Sequence, residues 1–285
     1  MKAIVEVKGG FGNQIFQFAF ANYLRNLGYD VKISTYHLTS TSKGITDRNL
    51  ILNVNHFNFK NAKLLNIKFL IFLNKILASE KLKRFNNFYV GSFYCKYSKF
   101  DQFNLNQKKF LNYFDGYWQD IILLENQKKF IINSLKKNEK IKKAFQKPVK
   151  KGTTLLLVRR GDYISMGEDL NEKFYIEALN FCKKNIEKFS YEIFTDDVNW
   201  VNNKNIFKDN LNIHPPSNKP EDVIRIFSNM LNFQNYIVGN STFSLIAAIL
   251  SETKNSLIIV SNPWFKNRES VSNIKSSWKK IENSN

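Results

Sequence analysis

Four short apolar segments in the second half of the chain are each followed at once by small or charged polar residues. The segments lie at 155–158, 191–194, 236–238 and 257–260. Between them, apolar residues recur with a helical period over 174–186 and 223–231, which predicts two helices. Strands that alternate with helices indicate a parallel, doubly wound sheet, whose ligands bind beyond the carboxyl ends of the strands. We therefore expect the four polar clusters at one edge, around one cleft.

The first half of the chain opens with the same alternation. Apolar residues at 4–7 precede a glycine-rich turn, helical spacing then continues to Arg25, and Gly28 is the expected helix stop. A second strand is predicted at 30–34 and a loop at 36–60. Residues 61–84 combine Leu, Ile and Phe with interleaved lysines, which predicts a helix that either faces a core or lies on a membrane surface.

The domain boundary is predicted near residue 150. A lysine-rich segment at 127–151 is predicted to be helical and ends near Pro148 and Gly152. Domains cluster near 100–150 residues, so a chain of 285 residues suits two of them. We expect residues 1–150 to form an N-terminal domain with a helical insert, and residues 151–285 to form a second domain.

Composition places the chain among globular proteins with a strong positive charge. Apolar residues make up 43% of it, and 43 basic against 24 acidic residues give a net charge of +19, carried mainly by lysine. This charge favours anionic partners such as a nucleotide sugar, a membrane face or a lipid-linked glycan. A lysine- and asparagine-rich composition also fits an AT-rich coding bias, so both explanations stay open.

Cysteine content and hydropathy predict a compartment. Two cysteines are typical of a reducing environment, and the longest apolar run, at 69–73, is far shorter than the roughly 18 residues that indicate a membrane span. The charged N-terminal segment does not resemble a signal peptide. These features predict a cytoplasmic protein, either soluble or peripheral on the inner face of a membrane.

The adjacent pair Arg159-Arg160, at a predicted strand end, is the sharpest chemical signal. Guanidinium groups bind phosphate oxygens in bidentate fashion. One of two neighbours on a strand normally points to the other face, but Gly161 indicates a backbone turned to present both charges. A surface ion-pair network is the alternative, and Asp162 is expected to hold one arginine in place.

Two further turns precede helices. In Gly239-Asn240-Ser241-Thr242, small hydroxyl residues at a helix N-terminus form either an anion site or an ordinary cap. The Gly9–Gln14 turn matches neither the dinucleotide fingerprint nor the P-loop. It is either a simple tight turn or a site where Asn13 and Gln14 contact sugar hydroxyls or phosphate.

No metal and no cofactor are predicted. Asp196-Asp197 lacks an Asp-x-Asp pattern, and the three histidines share no ligand-like spacing. Arginines and helix termini are expected to neutralise a leaving diphosphate instead.

Five motifs, in this order, resemble those of the bacterial α-1,2-fucosyltransferases, glycosyltransferase family 11. They are Gly9-Gly10-Phe11-Gly12-Asn13-Gln14-Ile15-Phe16-Gln17, Gly116-Tyr117-Trp118-Gln119, Arg159-Arg160-Gly161-Asp162-Tyr163, Thr195-Asp196-Asp197 with Trp200, and Asn240-Ser241-Thr242-Phe243-Ser244. The resemblance covers nearly the whole chain. Two positions depart from the family pattern: Leu157 stands where the family has His, and Leu245-Ile246 replaces a Trp-Trp pair.

The resemblance implies an α/β protein of GT-B architecture, in which two Rossmann-like domains with parallel sheets face a central cleft. Residues 1–150 would be the acceptor side and residues 151–285 the side that binds the GDP-sugar. It further implies metal-independent, inverting transfer of L-fucose from GDP-β-L-fucose to the 2-hydroxyl of a terminal galactose, in an oligosaccharide or lipid-linked glycan.

The resemblance also assigns site residues. Arg159, Arg160 and Asp162 would form the catalytic group, in which the two arginines grip the diphosphate. Donor contacts are expected from Gly10, Gly12, Asn13, Gln14, Thr195, Asp196, Asp197, Asn240, Ser241 and Thr242. Acceptor contacts are expected from Tyr117, Trp118 and Gln119.

The sequence leaves the catalytic base and the function with more than one candidate. Arg160→Ala is expected to lower kcat with little loss of fold. The base is one of Glu6, Asp115, Asp120 and Asp162, or the departing phosphate itself. The rivals are a GDP-fucose transferase of other linkage or acceptor, and a basic nucleic-acid-binding module, which would need aromatic and basic residues interleaved on one exposed face.

Overall fold

The computed structural model describes residues 1–39, 50–63, 68–69, 94–97, 111–208, 212–215, 219–267 and 271–283, with the backbone alone for 94–97. The chain divides into two compact units, Met1–Leu135 and Lys136–Asn285.

Unit 1 is built on a five-stranded parallel sheet. Its elements are β1 (Lys2–Glu6), α1 (Phe11–Asn26), β2 (Asp30–Ser34), α2 (Tyr36–Thr39), a 3₁₀ turn (Val54–Phe57), β3 (Lys60–Asn61), β4 (Tyr94–Tyr97), β5 (Leu111–Phe114), α3 (Ile121–Asn126) and α4 (Lys128–Leu135). The strand order is β3-β2-β1-β5-β4, and every pairing is parallel. After β1, the chain adds β2 and β3 on one side of that strand and then β4 and β5 on the other. The point where the strand order reverses therefore lies between β1 and β5.

Helix α1 fills the centre of unit 1. Most of its residues are buried, and it packs against α3 and α4. It begins after Gly10 and ends at Leu27, where Gly28 takes φ of +86°, a conformation that favours glycine. The predicted helix and its stop are confirmed.

Unit 2 is built on a six-stranded parallel sheet. Its elements are α5 (Glu139–Ala144), β6 (Lys150–Val158), α6 (Gly161–Met166), α7 (Glu172–Asn185), β7 (Ser190–Thr195), α8 (Val198–Asn202), a 3₁₀ turn (Asn205–Phe207), β8 (Ile213–His214), α9 (Pro220–Met230), β9 (Phe233–Gly239), α10 (Thr242–Ser251), β10 (Ile258–Asn262) and β11 (Lys279–Glu282). All its strand pairings are parallel.

The strand order of unit 2 fixes where a ligand binds. The order is β8-β7-β6-β9-β10-β11, which is the 3-2-1-4-5-6 arrangement of a Rossmann sheet. In such a sheet the ligand crevice lies at the switch point, here between the carboxyl ends of β6 and β9. The two parallel sheets confirm the α/β class and the pair of Rossmann-like units that a GT-B chain requires.

The four predicted strands of the second half are β6, β7, β9 and β10, and the two predicted helices are α7 and α9. The single helix predicted over 127–151 is wrong. Asn138 interrupts it, because its side chain accepts hydrogen bonds from the backbone N–H groups of Lys140 and Ile141 and so starts α5. The predicted loop at 36–60 contains α2, the first 3₁₀ turn and the start of β3. The helix predicted over 61–84 lies mostly outside the described residues.

The boundary between the units lies before residue 150. Helix α4 packs against α1 of unit 1, whereas α5 packs against α9 of unit 2. The chain therefore divides between Leu135 and Lys136. No helix within the described ranges is long and apolar enough to cross a bilayer.

Candidate functional site

Arg159 lies at the switch point of unit 2, directly after β6. Its Nη2 lies 2.5 Å from Asp162 Oδ1 and its Nη1 lies 2.6 Å from Asp196 Oδ2. The guanidinium carbon is 5.5 Å from the centre of the Tyr163 ring. About a quarter of the side chain stays exposed. Since a guanidinium carries five N–H donors, Arg159 keeps donor capacity for an anion.

Arg160 points to the other side of the sheet. Its guanidinium lies 4.4 Å from the Trp200 ring centre, in the cluster that also buries Val158. Its Nη1 is 2.9 Å from Asp169 Oδ2 and its Nε is 3.2 Å from Asp197 Oδ2. The alternation of the strand therefore continues through the arginine pair, so the expectation that both charges share one face is wrong. Since two carboxylates and a ring hold Arg160, its removal is expected to cost stability.

Asp196 locks the backbone of the arginine turn. Its Oδ1 accepts a hydrogen bond of 2.7 Å from the Arg160 backbone N–H, while Oδ2 faces Arg159. A Cβ atom at Gly161 would lie 2.7 Å from that Oδ2. Glycine follows the arginine pair because any side chain there would displace this carboxylate.

Thr195 and Asp197 also act inside the protein. The Thr195 hydroxyl accepts from the Asp197 backbone N–H at 2.9 Å, and Asp197 Oδ1 caps α8 by accepting from the Trp200 N–H at 2.9 Å. Thr195 is only 4% exposed. The segment predicted to line the nucleotide side therefore positions the two arginines.

Tyr163 joins the arginine turn to the start of α10. Its hydroxyl donates to the Asn240 carbonyl at 3.2 Å and also bonds the Ser241 side chain. Burial raises its pKa to about 12, against the opposing effect of Arg159. The tyrosine therefore stays neutral at physiological pH and couples two strand ends.

The N-terminus of α10 follows β9 and lies at the same edge of the sheet. Ser241 caps the helix, with its hydroxyl accepting from the Phe243 N–H at 3.4 Å. The first backbone N–H groups of a helix have no partner within it and attract anions. Ser241 is buried and bonds the Tyr163 side chain, and Thr242 beside it is half-buried. Asn240 differs, because its buried amide donates to the Glu168 carbonyl at 2.7 Å.

Glu168 was missed by the sequence analysis. It is fully buried, and its carboxylate accepts from the backbone N–H groups of Lys266 and Asn267, at 2.7 and 3.0 Å. Together with Asn240 it ties the loop after α6 to the loops after β9 and β10. The adjoining pair Glu168-Asp169 after Gly167 was the available signal, but its partners are distant in sequence.

The glycine turn of unit 1 lies at the switch point between β1 and β5. The Gln14 amide donates to the Gly9 carbonyl at 3.0 Å and its oxygen accepts from the Ile51 N–H at 3.2 Å. Gln14 is fully buried and Gly12 is buried within α1. The Gln14 side chain is therefore engaged inside the protein, and the donor contacts expected from Gln14 and Gly12 stay predictions. Gly10 differs, since a Cβ placed there would meet nothing within 4 Å.

The three residues predicted to contact the acceptor have different surroundings. Trp118 is 3% exposed and its ring stacks on Phe20 at 4.0 Å between centres, so it packs in the core of unit 1, and its acceptor contact stays a prediction. Tyr117 is 45% exposed. The Gln119 amide donates to Asn13 Oδ1 at 2.7 Å, which brings the two predicted motifs together.

The four candidate bases have different surroundings. Asp120 caps α3 by accepting from the Leu123 N–H at 2.8 Å, and Asp162 pairs with Arg159. Glu6 is fully buried, accepts from the His37 N–H and the Tyr113 hydroxyl, and has its pKa raised by burial. Asp115 lies 2.5 Å from Lys8 Nζ, with 11% of its side chain exposed.

A metal site would need a cluster of ligands. Across the described ranges, no group of three or more His, Cys, Asp or Glu residues is arranged to hold a metal ion. Cys182 is buried, and burial raises its thiol pKa to about 12, so it is a packing residue.

Comparison with known proteins identifies a family whose model matches nearly the whole chain. The model of "Glycosyl transferase family 11" matches residues 3–282. Two Escherichia coli proteins are each 25% identical: an alpha-1,2-colitosyltransferase, aligned over 98% of both chains, and the O-antigen biosynthesis glycosyltransferase WbnK, aligned over 95% of this chain and 98% of that one.

Solved structures with a similar course of the chain include the NodZ alpha-1,6-fucosyltransferase soaked with GDP-fucose. It has a TM-score of 0.47 and 11% identity, and covers 87% of this chain and 92% of its own. NodZ from Bradyrhizobium gives a TM-score of 0.44 with 12% identity, over 87% of this chain and 92% of its own.

Proposed function

Because the chain belongs to glycosyltransferase family 11, we propose that this enzyme transfers L-fucose from GDP-β-L-fucose to the 2-hydroxyl of a terminal galactose in a surface glycan. The transfer inverts the anomeric carbon and gives an α-1,2 linkage. Family membership decides between the enzyme and the nucleic-acid-binding module in favour of the enzyme.

The observation that carries the donor assignment is the arrangement at the switch point of unit 2. Tyr163 contacts both the partly exposed guanidinium of Arg159 and the hydroxyl of Ser241, which caps α10 directly before Thr242. These are the groups that bind diphosphate oxygens. Tyr163 and Asp196 hold them in register, so the site is organised before the donor arrives.

The chemistry follows from those donors. The acceptor oxygen bonds to the fucose anomeric carbon while the bond from that carbon to the diphosphate oxygen breaks. GDP leaves with the electron pair, and Arg159 with the α10 N-terminus stabilises the added negative charge. The hydroxyl proton passes to a carboxylate or to the departing phosphate. No metal is needed where guanidinium and helix dipole carry this role.

A second candidate donor is a colitose nucleotide, since one full-length relative is named an alpha-1,2-colitosyltransferase. Colitose is fucose without the 3-hydroxyl group. A site that hydrogen-bonds this hydroxyl rejects the deoxy sugar strongly, by about 10⁴-fold or more, whereas an apolar pocket discriminates poorly. The ratio of kcat/KM for the two donors therefore decides between the sugars.

The test uses the purified enzyme with each of the two GDP-sugars and a panel of galactosides, with and without EDTA. We expect a product whose new residue is α-linked to O2 of galactose, at a rate that EDTA does not change. A 6-linked or 3-linked product would contradict the linkage, and loss of activity with EDTA would contradict metal independence. A cytoplasmic location, where GDP-sugars are made, belongs to the same proposal.

A further inference from the structure

Tyr117 is an exposed aromatic residue held by a strained backbone. It is 45% exposed, yet the next residue, Trp118, is buried and has φ of +54°. Such a conformation costs a non-glycine residue on the order of 1–3 kcal/mol. The Trp118 ring stacks on Phe20 and meets Phe114 edge-on at 5.9 Å. Packing thus holds the strained turn, and the strained turn presents Tyr117 to solvent.

The glycine turn is shaped to receive the Tyr117 ring. Gly9 has φ of +76°, and a Cβ atom there would lie 3.0 Å from Tyr117 Cε1 and 2.9 Å from Asn13 Nδ2. Glycine therefore lets the ring lie directly against the turn between β1 and α1. The ring contacts the turn along one edge, and 45% of the residue stays exposed.

An ion pair stands beside this ring. Lys8 Nζ lies 5.3 Å from the Tyr117 ring centre and 2.5 Å from Asp115 Oδ1. Lys8 follows β1 and Asp115 follows β5. All three residues therefore lie at the switch point of unit 1, where open parallel sheets bind ligands.

The chemistry of this group suits an uncharged sugar. The apolar face of a pyranose packs on an exposed aromatic ring, while ammonium and carboxylate groups bond its hydroxyls. The pair is neutral overall, and Asp115 would repel a diphosphate. We propose that Lys8, Asp115 and Tyr117 form the binding site for the acceptor galactose, with the amides of Asn13 and Gln119 at its border. This proposal rests on the proposed function.

The first test replaces Tyr117 by Ala. We expect the KM for the galactoside to rise about tenfold, in line with the loss of one aromatic contact, while the KM for the GDP-sugar and its slow hydrolysis without acceptor stay unchanged. Ile122→Ala is the matched control, because Ile122 is exposed to 53% in the same unit. An unchanged galactoside KM in Tyr117→Ala would overturn the proposal.

The second test replaces Asp115 by Asn, an isosteric change that removes the charge. The galactoside KM should rise about tenfold or more, since hydrogen bonds to charged groups contribute roughly 1.5–3 kcal/mol. Asp30→Asn is the control, because Asp30 is exposed at the first residue of β2, at the opposite end of the strands from Asp115. Equal galactoside KM in the two variants would count against the site.

A direct measurement of galactoside binding distinguishes a failure of this binding site from a failure of the proposed function. Saturation-transfer NMR with methyl β-galactoside measures acceptor binding without any reaction. A wild-type enzyme that transfers sugar to no galactoside contradicts the proposed function. If that enzyme still binds methyl β-galactoside and Tyr117→Ala does not, the site stands; equal binding by both proteins overturns it.

Discussion

At the scale of single residues, the two adjacent arginines have different surroundings. Arg159 lies beside Tyr163 on the side of the α10 N-terminus, whereas Arg160 packs on Trp200 on the opposite side of the sheet. Adjacent residues of a strand point to opposite faces, and this alternation persists past the last residue of β6. One guanidinium thus keeps about a quarter of its side chain exposed at the switch point, and the other holds the surrounding acidic residues in place.

Arg160→Ala is therefore expected to destabilise the protein. The change leaves Asp169 and Asp197 without their guanidinium partner. Breaking a fully buried pair costs 3–5 kcal/mol, but Arg160 is 15% exposed, so we expect about 2 kcal/mol. Urea unfolding of Arg160→Ala beside Arg225→Ala tests this. Arg225 is 54% exposed in its pair with Asp222, and its loss should cost less than about 0.5 kcal/mol. Equal costs would refute the structural role of Arg160.

Gly161→Ala tests the carboxylate that locks the arginine turn. The added methyl would meet Asp196 Oδ2 at 2.7 Å, so this carboxylate must shift away from Arg159. We expect GDP affinity to fall at least tenfold. Gly10→Ala is the control for stability, because its methyl meets no protein atom within 4 Å and its φ is −71°. Tight GDP binding by Gly161→Ala would show that Asp196 does not organise the site.

At the scale of elements, the site depends on how α6 and α10 are joined. Helix α6 presents Tyr163, whose hydroxyl reaches Asn240 and Ser241 at the start of α10. The loop after α6 is joined to the same place through Asn240 and Glu168. Hydrogen bonds from side chains to backbone groups thus connect the loops after β6, β9 and β10.

Tyr163→Phe removes one hydroxyl from this connection and keeps the ring. We expect the KM for the GDP-sugar to rise about fivefold to tenfold, because one hydrogen bond of about 1 kcal/mol holds Ser241 in place. Tyr236→Phe is the matched control: its hydroxyl donates to the Met230 carbonyl at 2.9 Å, inside the same unit. Both variants should lose similar stability, and only Tyr163→Phe should bind the donor more weakly. An equal donor KM in the two variants would contradict the coupling.

At the scale of the whole molecule, unit 2 carries a built-in sensitivity to alkali. Burial raises the pKa of Tyr163 to about 12 and also raises the pKa values of Tyr175 and Tyr236. The unfolded chain ionises these phenols near pH 10, before the folded protein does. Ionisation therefore favours unfolding, and stability falls as the pH rises above 10.

An alkaline titration measures this effect. We expect phenolate absorbance to appear in two stages: exposed tyrosines first, and the buried ones together with the loss of circular dichroism. A single smooth titration with intact secondary structure would show that these three phenols are not buried.

The sequence predicts the site where strand ends decide it and fails where packing decides it. Arg159 and Ser241 both contact Tyr163 because parallel strands deliver their carboxyl ends to one edge, and the shared edge follows from the pattern alone. Gln14 and Trp118 stand in motifs beside the site, yet both are buried, since only the packing of α1 determines which side faces solvent. The linkage of Glu168 to the loop after β10 spans nearly 100 residues, a distance at which local patterns carry no information.

The central claim is that the switch point of unit 2 binds the diphosphate through Arg159. Isothermal titration of GDP into wild-type protein and Arg159→Lys tests it, because lysine keeps the charge but loses the fork geometry. We predict one GDP site per chain, and affinity at least tenfold weaker in the variant with unchanged urea stability. Equal GDP affinity in the two proteins would contradict the assignment.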